Sequence, residues 1–416
     1  MYKAPRGTAD ILPEEQPHWR LIEQKAAETC QLYGYERIDT PVFEDTGLFA
    51  RSIGEETDIV AKEMYTFEDR GGNQVTLRPE GTAPVCRAYL EHGLASRTKP
   101  VKLYYLSPIF RYERPQSGRY RQHHQFGYEA IGDGDAALDA EVIDMAWRFF
   151  ASFKLTGLSL QLNSIGCRQD RPGYIKALKA YYADHLARLC PDCNKRYQRN
   201  PLRLLDCKKP ICTRIAAAAP QNTDYLCPEC GEHFSRLTGY LTQLKLPFVL
   251  NHRLVRGLDY YTRTVFEIQP EGEEAAQSTL GGGGRYDNLI EQLGGQPTPA
   301  VGFATGLERI VLNINKQGIA VPPPFRPAVF IAGVGGEAVA EAIKLAASLR
   351  GNGTGVIHGS GGRSLKAQLR QANSLGARHA VIIGEQEVAS GTVILRNMAT
   401  SEQETVALKD LAARLG

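Results

Sequence analysis

The chain has 416 residues, of which 43% are hydrophobic and 23% are charged, and its formal net charge is +3. This composition is close to the globular average, which excludes a disordered chain, a collagen-like repeat and a small disulfide scaffold. The length favours two or three domains. No run approaches 18 apolar residues, and the start MYKAPRGTADILPEEQ lacks the apolar stretch of a signal peptide. We therefore expect a cytoplasmic protein with reduced thiols and no membrane segment.

The first three quarters of the chain mix helical and extended patterns. Residues 14–33 and 136–152 have the apolar spacing of helices, whereas residues 101–131 predict two long strands around a polar turn. The stretch 240–310 resembles a meander of strands that ends in a helix. Strands interrupted by separate helices predict an α+β fold, in which an antiparallel sheet is flanked by helices.

The segment LRPEGTAPVCRAYL, residues 77–90, places Glu80 and Thr82 on a turn before a helix. Such residues commonly cap a helix N-terminus, and taken alone the two are explained by capping.

The predicted hairpin carries an unusual set of polar residues. Its arginines fall within eleven residues: Arg111, Arg114, Arg119 and Arg121. On the return strand, Gln125, Gly127 and Glu129 share one face because side chains alternate with a period of two. A single arginine–glutamate pair would fit a surface cross-strand contact. Guanidinium groups also bind phosphate through two parallel hydrogen bonds and stay charged, so the hairpin favours a rigid clamp for a triphosphate.

Residues 167–240 interrupt the sheet pattern with a helical, basic and cysteine-rich insertion. It contains the pairs Cys190 and Cys193, Cys207 and Cys212, and Cys227 and Cys230. CPDC and CPEC have the C-x₂-C spacing of a tetrahedral zinc site. One interpretation is a structural zinc bound by Cys190, Cys193, Cys227 and Cys230, and the alternative is free thiols.

The stretch LVRGLDYYTRTVFE, residues 254–267, ends in an alternating, β-branched pattern that predicts a half-buried strand. Packing of a sheet does not require Arg256 or Tyr261. Four glycines at 281–284 lack the Lys-Ser/Thr of a P-loop, and they favour a close approach of the backbone to a substrate.

In GFATGLERIVL, residues 302–312, an apolar strand turns at Gly306 into a helix whose Arg309 faces the turn. A lone helix arginine is usually only solvated, so this segment alone predicts no site.

The proline-rich segment VPPPFRP, residues 321–327, is a stiff linker candidate. It separates a predicted catalytic region, 1–320, from 328–416, where strands alternate with helices and predict an α/β domain with a largely parallel sheet. Residues 342–384 carry six basic residues and no acidic residue. Such a patch suits a polyanion, because neutralised phosphates release counterions, although a solvated helix face explains it equally well.

Together these motifs resemble those of the histidyl-tRNA synthetases, which are class II aminoacyl-tRNA synthetases. The resemblance rests on RGTADILP, FRYERP, LVRGLDYYTRTVFE, GGGGRYDNL and GFATGLERIVL, and it covers essentially the whole chain. RGLDYY and GGGRYD are specific to the histidyl enzymes and their close relatives. The resemblance implies ATP-dependent ligation of L-histidine to its tRNA through histidyl adenylate, with Mg²⁺. It also implies that residues 328–416 form an anticodon-binding domain.

The resemblance further implies roles for particular residues. The catalytic set is Arg111, Arg256 and Arg309, and the ATP-binding set is Arg111, Arg119 and Arg309. The residues implied to bind histidine are Glu80, Gly81, Thr82, Gln125, Glu129, Tyr260 and Tyr261, with Glu129 and the tyrosines at the imidazole. Gln116 and Arg121, in the loop 114–121, would contact the tRNA acceptor end.

These roles agree with the chemistry. Adenylate formation needs in-line positioning and positive charge around phosphorus, which arginines and Mg²⁺ supply. A carboxylate and a phenol paired with two ring nitrogens discriminate by roughly 10⁴ to 10⁵, so no editing domain is expected.

Similarity to class II enzymes also implies a homodimer, formed through residues 35–44. Two other functions fit parts of the sequence: a non-catalytic, histidine-binding regulatory subunit of ATP phosphoribosyltransferase, and a stand-alone RNA-binding module. The regulatory subunit typically lacks the anticodon domain and much of the arginine set, so Arg256, Arg309 and residues 326–416 favour the enzyme. An RNA-binding module would not need Glu129 and Tyr261 in register with Arg256.

Overall fold

The computed structural model describes residues 2–54, 57, 59–113, 120–272, 279–360 and 362–415. Contacts divide the chain into two compact units, Met1–Pro322 and Pro323–Gly416. The division falls within the proline-rich stretch 321–327. In the described ranges, no helix combines the length and the apolar character needed to cross a membrane.

The first unit contains two sheets and a set of helices. Its strands are β1 (Glu36–Arg37), β2 (Phe43–Asp45), β3 (Tyr65–Glu68), β4 (Gln74–Leu77), β5 (Val101–Phe110), β6 (Gln122–Ile131), β7 (Leu158–Ser164), β8 (Phe248–Leu250), β9 (Thr262–Pro270), β10 (Gly281–Arg285) and β11 (Ala300–Gly306). Its helices are α1 (Gln16–Leu32), α2 (Thr46–Ile53), α3 (Thr82–Glu91), α4 (Ala136–Ala151), α5 (Asp170–Ala183), α6 (Pro191–Arg199), α7 (Pro210–Ala217), α8 (Pro228–Gln243), α9 (Leu289–Gln292) and α10 (Leu307–Lys316).

The larger sheet has the order β1-β5-β6-β11-β10-β9-β7-β8, and the smaller sheet has the order β2-β4-β3. In the larger sheet the six central strands are antiparallel neighbours, and the outer strands β1 and β8 pair in parallel. The predicted α+β fold, with an antiparallel sheet flanked by helices, is confirmed.

The hairpin predicted at 101–131 consists of β5 and β6. Strand β5 alternates buried and half-buried residues along its whole length, as expected when one face of a pleated strand packs on a core. In the antiparallel register Tyr105 lies opposite Gly127. Gln125, Gly127 and Glu129 occupy alternate positions of β6, so they face the same side of the sheet.

The two faces of the sheet belong to different cores. On one face, residues such as Ile22 of α1 and Phe149 of α4 pack with Phe303 of the sheet. On the other face, Val85 of α3 and Leu289 of α9 belong to a cluster rich in buried tyrosines. This second face positions the candidate site.

The insertion predicted at 167–240 is helical and contains α5, α6, α7 and most of α8. It has its own buried cluster, which includes Tyr174, Leu178, Tyr182 and Leu204.

The second unit is an α/β domain with one sheet in the order β13-β12-β14-β15-β16. Its strands are β12 (Val329–Gly333), β13 (Val356–His358), β14 (His379–Ile383), β15 (Thr392–Asn397) and β16 (Gln403–Ala407), and its helices are α11 (Gly336–Gly351), α12 (Leu365–Ser374), α13 (Glu385–Ser390) and α14 (Leu411–Leu415). The expected largely parallel sheet is in fact mixed, because β15 and β16 add antiparallel strands. The segment TVALKDLAARLG, residues 405–416, has a helical pattern, but residues 405–407 belong to the edge strand β16 because they pair with β15.

The six basic residues of 342–384 are all exposed: Lys344, Arg350, Arg363, Lys366, Arg370 and Arg378. They do not form one patch, because α11 packs with Val329 and Ile331 whereas α12 packs with Phe330 and Ala332. Successive residues of β12 point to opposite faces, so the two helices cover opposite sides of the sheet.

Candidate active site

Glu129 is the most buried carboxylate at the candidate site, with 1% of its surface exposed. It accepts hydrogen bonds from the Thr82 hydroxyl (2.7 Å) and from the Tyr286 hydroxyl (2.5 Å). Gly302 faces Glu129 from the neighbouring strand β11. A β-carbon at position 302 would lie 1.8 Å from Glu129 Oε2, so only glycine leaves room for this carboxylate.

Burial raises the pKa of Glu129 to about 8, although the hydrogen bonds from Tyr286 and Thr82 oppose this shift. A carboxyl group with such a pKa exchanges its proton readily near neutral pH. An imidazole, whose ordinary pKa is about 6.5, is a well-matched partner for it. The site can therefore bind an imidazole through a shared proton.

Four tyrosines surround this carboxylate, and together with Thr82 they form the Glu129 cluster: Tyr105, Tyr260, Tyr261 and Tyr286. The ring centre of Tyr260 is 4.8 Å from that of Tyr261 and 5.6 Å from that of Tyr286. Gly81 and Gly127 provide the space for the ring of Tyr105, since a β-carbon at either position would lie 2.3 Å from that side chain. Among the residues implied to bind histidine, Gly81, Thr82, Glu129, Tyr260 and Tyr261 are thus close neighbours.

Glu80 is buried at the start of α3. Its carboxylate accepts hydrogen bonds from the backbone N–H groups of Thr82 (2.6 Å) and Ala83 (2.8 Å), so it does cap the helix. Burial raises the pKa of Glu80, and the same contacts oppose this shift. Capping and a role at the site are compatible, because each carboxylate oxygen has a second lone pair.

A cavity of about 360 Å³, the arginine cavity, adjoins the Glu129 cluster. Its lining includes Arg111, Gln125, Arg256 and Arg309, four residues that the sequence places far apart. The guanidinium carbon of Arg256 lies 5.7 Å from the ring centre of Tyr261, which connects the cavity with the cluster.

Each arginine of this cavity is held by a neighbouring residue. Arg111 donates to the carbonyl of Pro79 (2.7 Å), Arg309 donates to the carbonyl of Thr279 (2.5 Å), and Arg256 forms an ion pair with Glu267. A β-carbon at Gly282 would lie 2.6 Å from the guanidinium of Arg256, so the glycine run gives this side chain its space. Three fixed positive charges around one cavity suit a polyphosphate.

Gln125 lines this cavity and has an acceptor atom without a donor. Its Oε1 atom is buried and receives no hydrogen bond from any described residue. Buried acceptors are normally paired, so this atom is available to an ammonium or hydroxyl group of a ligand.

His123 also lines the arginine cavity, and sequence reasoning missed it. Burial, together with the positive charges of Arg111 and Arg309, lowers the pKa of His123 to about 3. The ring is therefore neutral at physiological pH. His124 lies on the opposite side of β6, where its ring is 3.0 Å from Glu308 and packs against Trp19.

The tip of the hairpin carries the remaining predicted contacts. Gln116 and Arg119, like Arg114, lie outside the described residues. Arg121 stacks on the ring of Tyr112, with its guanidinium carbon 3.8 Å from the ring centre.

The cysteines group differently from the prediction. Cys190 and Cys193 lie with Cys207 and Cys212 in a four-cysteine cluster, whereas Cys227 and Cys230 lie with Cys167 and Asp170. In each group the ligand atoms are within 4.8 Å of one another. The predicted set of Cys190, Cys193, Cys227 and Cys230 is therefore wrong, because the two C-x₂-C pairs begin different helices in different places.

An additional buried ion pair supports the sheet beneath the site. Arg285, which follows the four glycines, is fully buried and pairs with Asp139 of α4. The hydroxyl of Thr264 donates to the same carboxylate (2.6 Å).

The sheet, the arginine cavity and the second α/β unit define a class II aminoacyl-tRNA synthetase. A family model described as histidyl-tRNA synthetase matches residues 7–310, and a model of an anticodon binding domain matches residues 328–416. The chain belongs to the histidyl-tRNA synthetase family.

Individual relatives agree with this membership. A histidine–tRNA ligase of Dehalococcoides mccartyi strain 195 is 63% identical over 415 residues, which cover 100% of this chain and 99% of the relative. The crystal structure of apo Staphylococcus aureus histidyl-tRNA synthetase covers 100% of both chains with 39% identity and a TM-score of 0.83. A Bacillus halodurans structure described as an ATP phosphoribosyltransferase regulatory subunit/histidyl-tRNA synthetase has 25% identity and a TM-score of 0.66. It covers 92% of this chain and 98% of its own.

Proposed function

We propose that this chain, a histidine–tRNA ligase by its family, forms histidyl adenylate in the arginine cavity and then transfers histidine to its tRNA. The observation that carries this proposal is the meeting of Arg111, Arg256 and Arg309 at one cavity beside buried Glu129. A phosphate-binding site and an imidazole-binding site at this spacing suit the two substrates of adenylation.

In the first step, a carboxylate oxygen of histidine attacks the α-phosphorus of ATP, the bond to the β-phosphate breaks, and pyrophosphate leaves. Arg256 lies 5.7 Å from the ring centre of Tyr261 in the Glu129 cluster, so it would stabilise the charge that develops at the α-phosphate. Arg111 and Arg309 would bind the outer phosphates, together with Arg119. The neutral ring of His123 adds no charge that would repel Arg111 or Arg309.

Histidine would lie with its imidazole against Glu129 and Tyr261, beside Tyr260. Its α-amino group would donate to the vacant Oε1 of Gln125 and to the carboxylate of Glu80, with Gly81 and Thr82 forming the adjacent wall. A different amino acid would leave the buried carboxylate and phenols without partners, which disfavours its binding strongly.

ATP is accompanied by Mg²⁺ in this family of enzymes. The arginine cavity includes the carboxylates of Glu113, Glu267 and Glu308, which are the hard oxygen ligands that Mg²⁺ prefers. The residues present thus fit the ion, which when bound neutralises phosphate charge.

In the second step, a hydroxyl of the terminal ribose of the tRNA attacks the carbonyl carbon of the adenylate, and AMP leaves. A larger cavity, about 810 Å³, shares Gly257, Glu267 and Thr279 with the arginine cavity and includes Lys208 and Arg214 of the insertion. We propose that the acceptor end of the tRNA enters through this basic cavity, and that Gln116 and Arg121 of the hairpin contact it. The exposed basic residues at α12, which are Arg363, Lys366 and Arg370, would bind the anticodon arm.

A homodimer would bury apolar surface near residues 35–44. Val42, Phe43 and Phe67 are 40%, 54% and 46% exposed, and the rings of Phe43 and Phe67 lie 6.5 Å apart. Exposed apolar groups of this kind mark association surfaces. A molar mass of one chain in light scattering, at the concentration used for activity, would contradict the dimer.

The four-cysteine cluster is proposed to bind a structural zinc ion. The sulfur atoms of Cys190 and Cys207 are 3.9 Å apart, close to the roughly 3.8 Å edge of a tetrahedron with Zn–S bonds of about 2.3 Å. The backbone N–H of Cys190 donates to Cys212 Sγ (3.4 Å), a contact that would stabilise a thiolate.

All nine cysteines are described and all are thiols, which agrees with a cytoplasmic setting.

The regulatory-subunit alternative is less supported, since the 63% identical relative is a ligase and all three cavity arginines are present. Amino-acid-dependent exchange of pyrophosphate into ATP separates the functions. We expect exchange with histidine and none above background with the other amino acids. Histidine binding without exchange would indicate the regulatory function and contradict our proposal.

A further inference from the structure

A second group of metal-binding side chains lies at the starts of α5 and α8, the first and last helices of the insertion. This Asp170 cluster consists of Cys167, Asp170, Cys227 and Cys230, with one ligand atom of each within 4.8 Å of the others. Cys167 and Asp170 lie at the start of α5, and Cys227 and Cys230 lie at the start of α8. The two pairs have the same spacing, with Asp170 in the place of a second cysteine.

The cluster suits a tetrahedral metal ion. Cys230 is fully buried and Asp170 is 5% exposed, while Cys167 and Cys227 are half-buried. The cluster offers three sulfur ligands and one carboxylate oxygen, which come as two pairs from two helix starts. This ligand set favours zinc over the hard cations Mg²⁺ and Ca²⁺.

Asp170 also organises the local backbone, and this role is compatible with metal binding. Its Oδ2 accepts from the N–H of Cys167 (2.9 Å) and its Oδ1 accepts from the N–H of Cys227 (2.8 Å). A carboxylate offers about four lone-pair sites, so either oxygen can also bind a cation. Such backbone contacts orient a ligand in the way that outer hydrogen bonds do in metal sites.

The cluster is connected directly to the backbone of the proposed histidine site. Arg171, next to Asp170, donates to the carbonyl of Tyr261 (2.6 Å). Gly166, next to Cys167, accepts from the N–H of Arg263 (2.7 Å), whose carbonyl accepts from Ile165 (2.7 Å). Arg263 has a φ of 49°, an unfavourable value for a residue with a side chain, so these contacts maintain the start of β9, which directly follows Tyr261.

We infer that Cys167, Asp170, Cys227 and Cys230 bind a second zinc ion, which joins the starts of the first and last helices of the insertion and positions Tyr261. Each thiol loses its proton as its Zn–S bond forms, and the carboxylate binds in its ionised form. The metal site is independent of the proposed function, whereas the positioning of Tyr261 for histidine rests on it.

Elemental analysis of the full chain after dialysis tests the metal site without any activity. We expect two zinc ions per chain in the native protein, one in Cys230→Ser, one in Cys193→Ser and none in the double variant. Cys30→Ala, a lone buried cysteine of α1, is the matched control and should retain both ions. A single zinc that is lost with Cys193→Ser but kept in Cys230→Ser would overturn the inference.

A second measurement needs no variant. In the zinc-loaded native protein, Cys227 should resist alkylation, and a chelator should make it reactive, as followed by mass spectrometry of the labelled peptide. Equal labelling of Cys227 before and after chelation would contradict metal binding at this cluster.

The KM for histidine tests separately whether the metal ion positions Tyr261. Cys230→Ser should raise KM for histidine in pyrophosphate exchange by about tenfold or more, with little change in KM for ATP. Cys193→Ser should leave KM for histidine unchanged. If Cys230→Ser loses zinc but keeps its KM for histidine, the metal does not position Tyr261. Pyrophosphate exchange that depends on histidine would still support the proposed function in that case.

Discussion

The carboxylate of Glu129 lies directly over Gly302 of the neighbouring strand. A methyl group at position 302 would come within 1.8 Å of Oε2, and the surrounding residues are buried. The glycine is thus part of the imidazole recognition that we propose, although it offers no side chain to a ligand.

Gly302→Ala should displace Glu129 and raise KM for histidine by about a hundredfold, because small misplacements of a binding group are costly. KM for ATP should change far less. Gly239→Ala is the matched control, since a β-carbon at this helical position meets no atom within 4 Å. Equal KM values for histidine in Gly302→Ala and the native protein would show that Glu129 does not contact the substrate.

The raised pKa of Glu129 predicts that the stability of the folded protein depends on pH. The pKa of Glu129 is raised from the ordinary value of 4.5 to about 8 by burial, so the folded state retains a proton that the unfolded state releases between these pH values. The free energy of unfolding should therefore fall as pH rises through this window, by a few kcal/mol at most.

Urea unfolding of the native protein and of Glu129→Gln at pH 5.5 and pH 8 measures this effect. Glutamine does not titrate, so the variant should gain stability relative to the native protein at the higher pH. The same difference between the two proteins at both pH values would contradict a raised pKa.

Arg256→Ala should lower the rate of adenylate formation by about 10² to 10³, the usual cost of removing one donor to a transition state. Arg236→Ala removes an arginine whose exposed ion pair with Asp135 lies elsewhere, so it should leave the rate unchanged. Single-turnover formation of the adenylate gives the rate directly. A decrease below threefold for Arg256→Ala would remove this residue from the mechanism.

The basic surface of α12 should bind tRNA. Replacing Arg363, Lys366 and Arg370 together by alanine should lower kcat/KM for tRNA charging by about tenfold or more, and should reduce its salt dependence. Pyrophosphate exchange should stay at its native level, because these residues belong to the second unit.

Lys344→Ala, on α11 at the opposite side of that sheet, is the control for charge loss. An unchanged kcat/KM for tRNA charging in the α12 variant would show that these basic residues are exposed to solvent and do not bind tRNA.

Much of the first unit could be predicted because its signals are local. Strand β5 alternates buried and half-buried residues, and the helices at 14–33 and 136–152 have clear apolar spacing. Arg111, Gln125, Arg256 and Arg309 were named from the family resemblance, and the structure brings them to one cavity.

Other site residues depend on strand register, which no local pattern reveals. Tyr105 contributes to the Glu129 cluster because Gly127 lies opposite it and Gly81 lies nearby. Tyr286 was within the GGGGRYDNL motif, but its contact with Glu129 depends on the order of the strands. His123 lies two residues before Gln125, so the alternation that sets Gln125 on the inner face also applies to it.

The cysteines show a different reason for error. CPDC and CPEC have identical spacing, and the sequence alone cannot say which pairs meet in space. Cys167 and Asp170 share this spacing, so a search that allowed a carboxylate in place of one cysteine would have found the second pair. At 405–407, the helical pattern of the following residues extends into the edge strand β16.

The most direct test of the account is a crystal structure with a stable analogue of histidyl adenylate bound. We predict the imidazole against Glu129 and Tyr261, and the phosphate between Arg256 and Arg111. An analogue bound with its imidazole outside the Glu129 cluster, or with no arginine of the cavity near its phosphate, would contradict the proposed site.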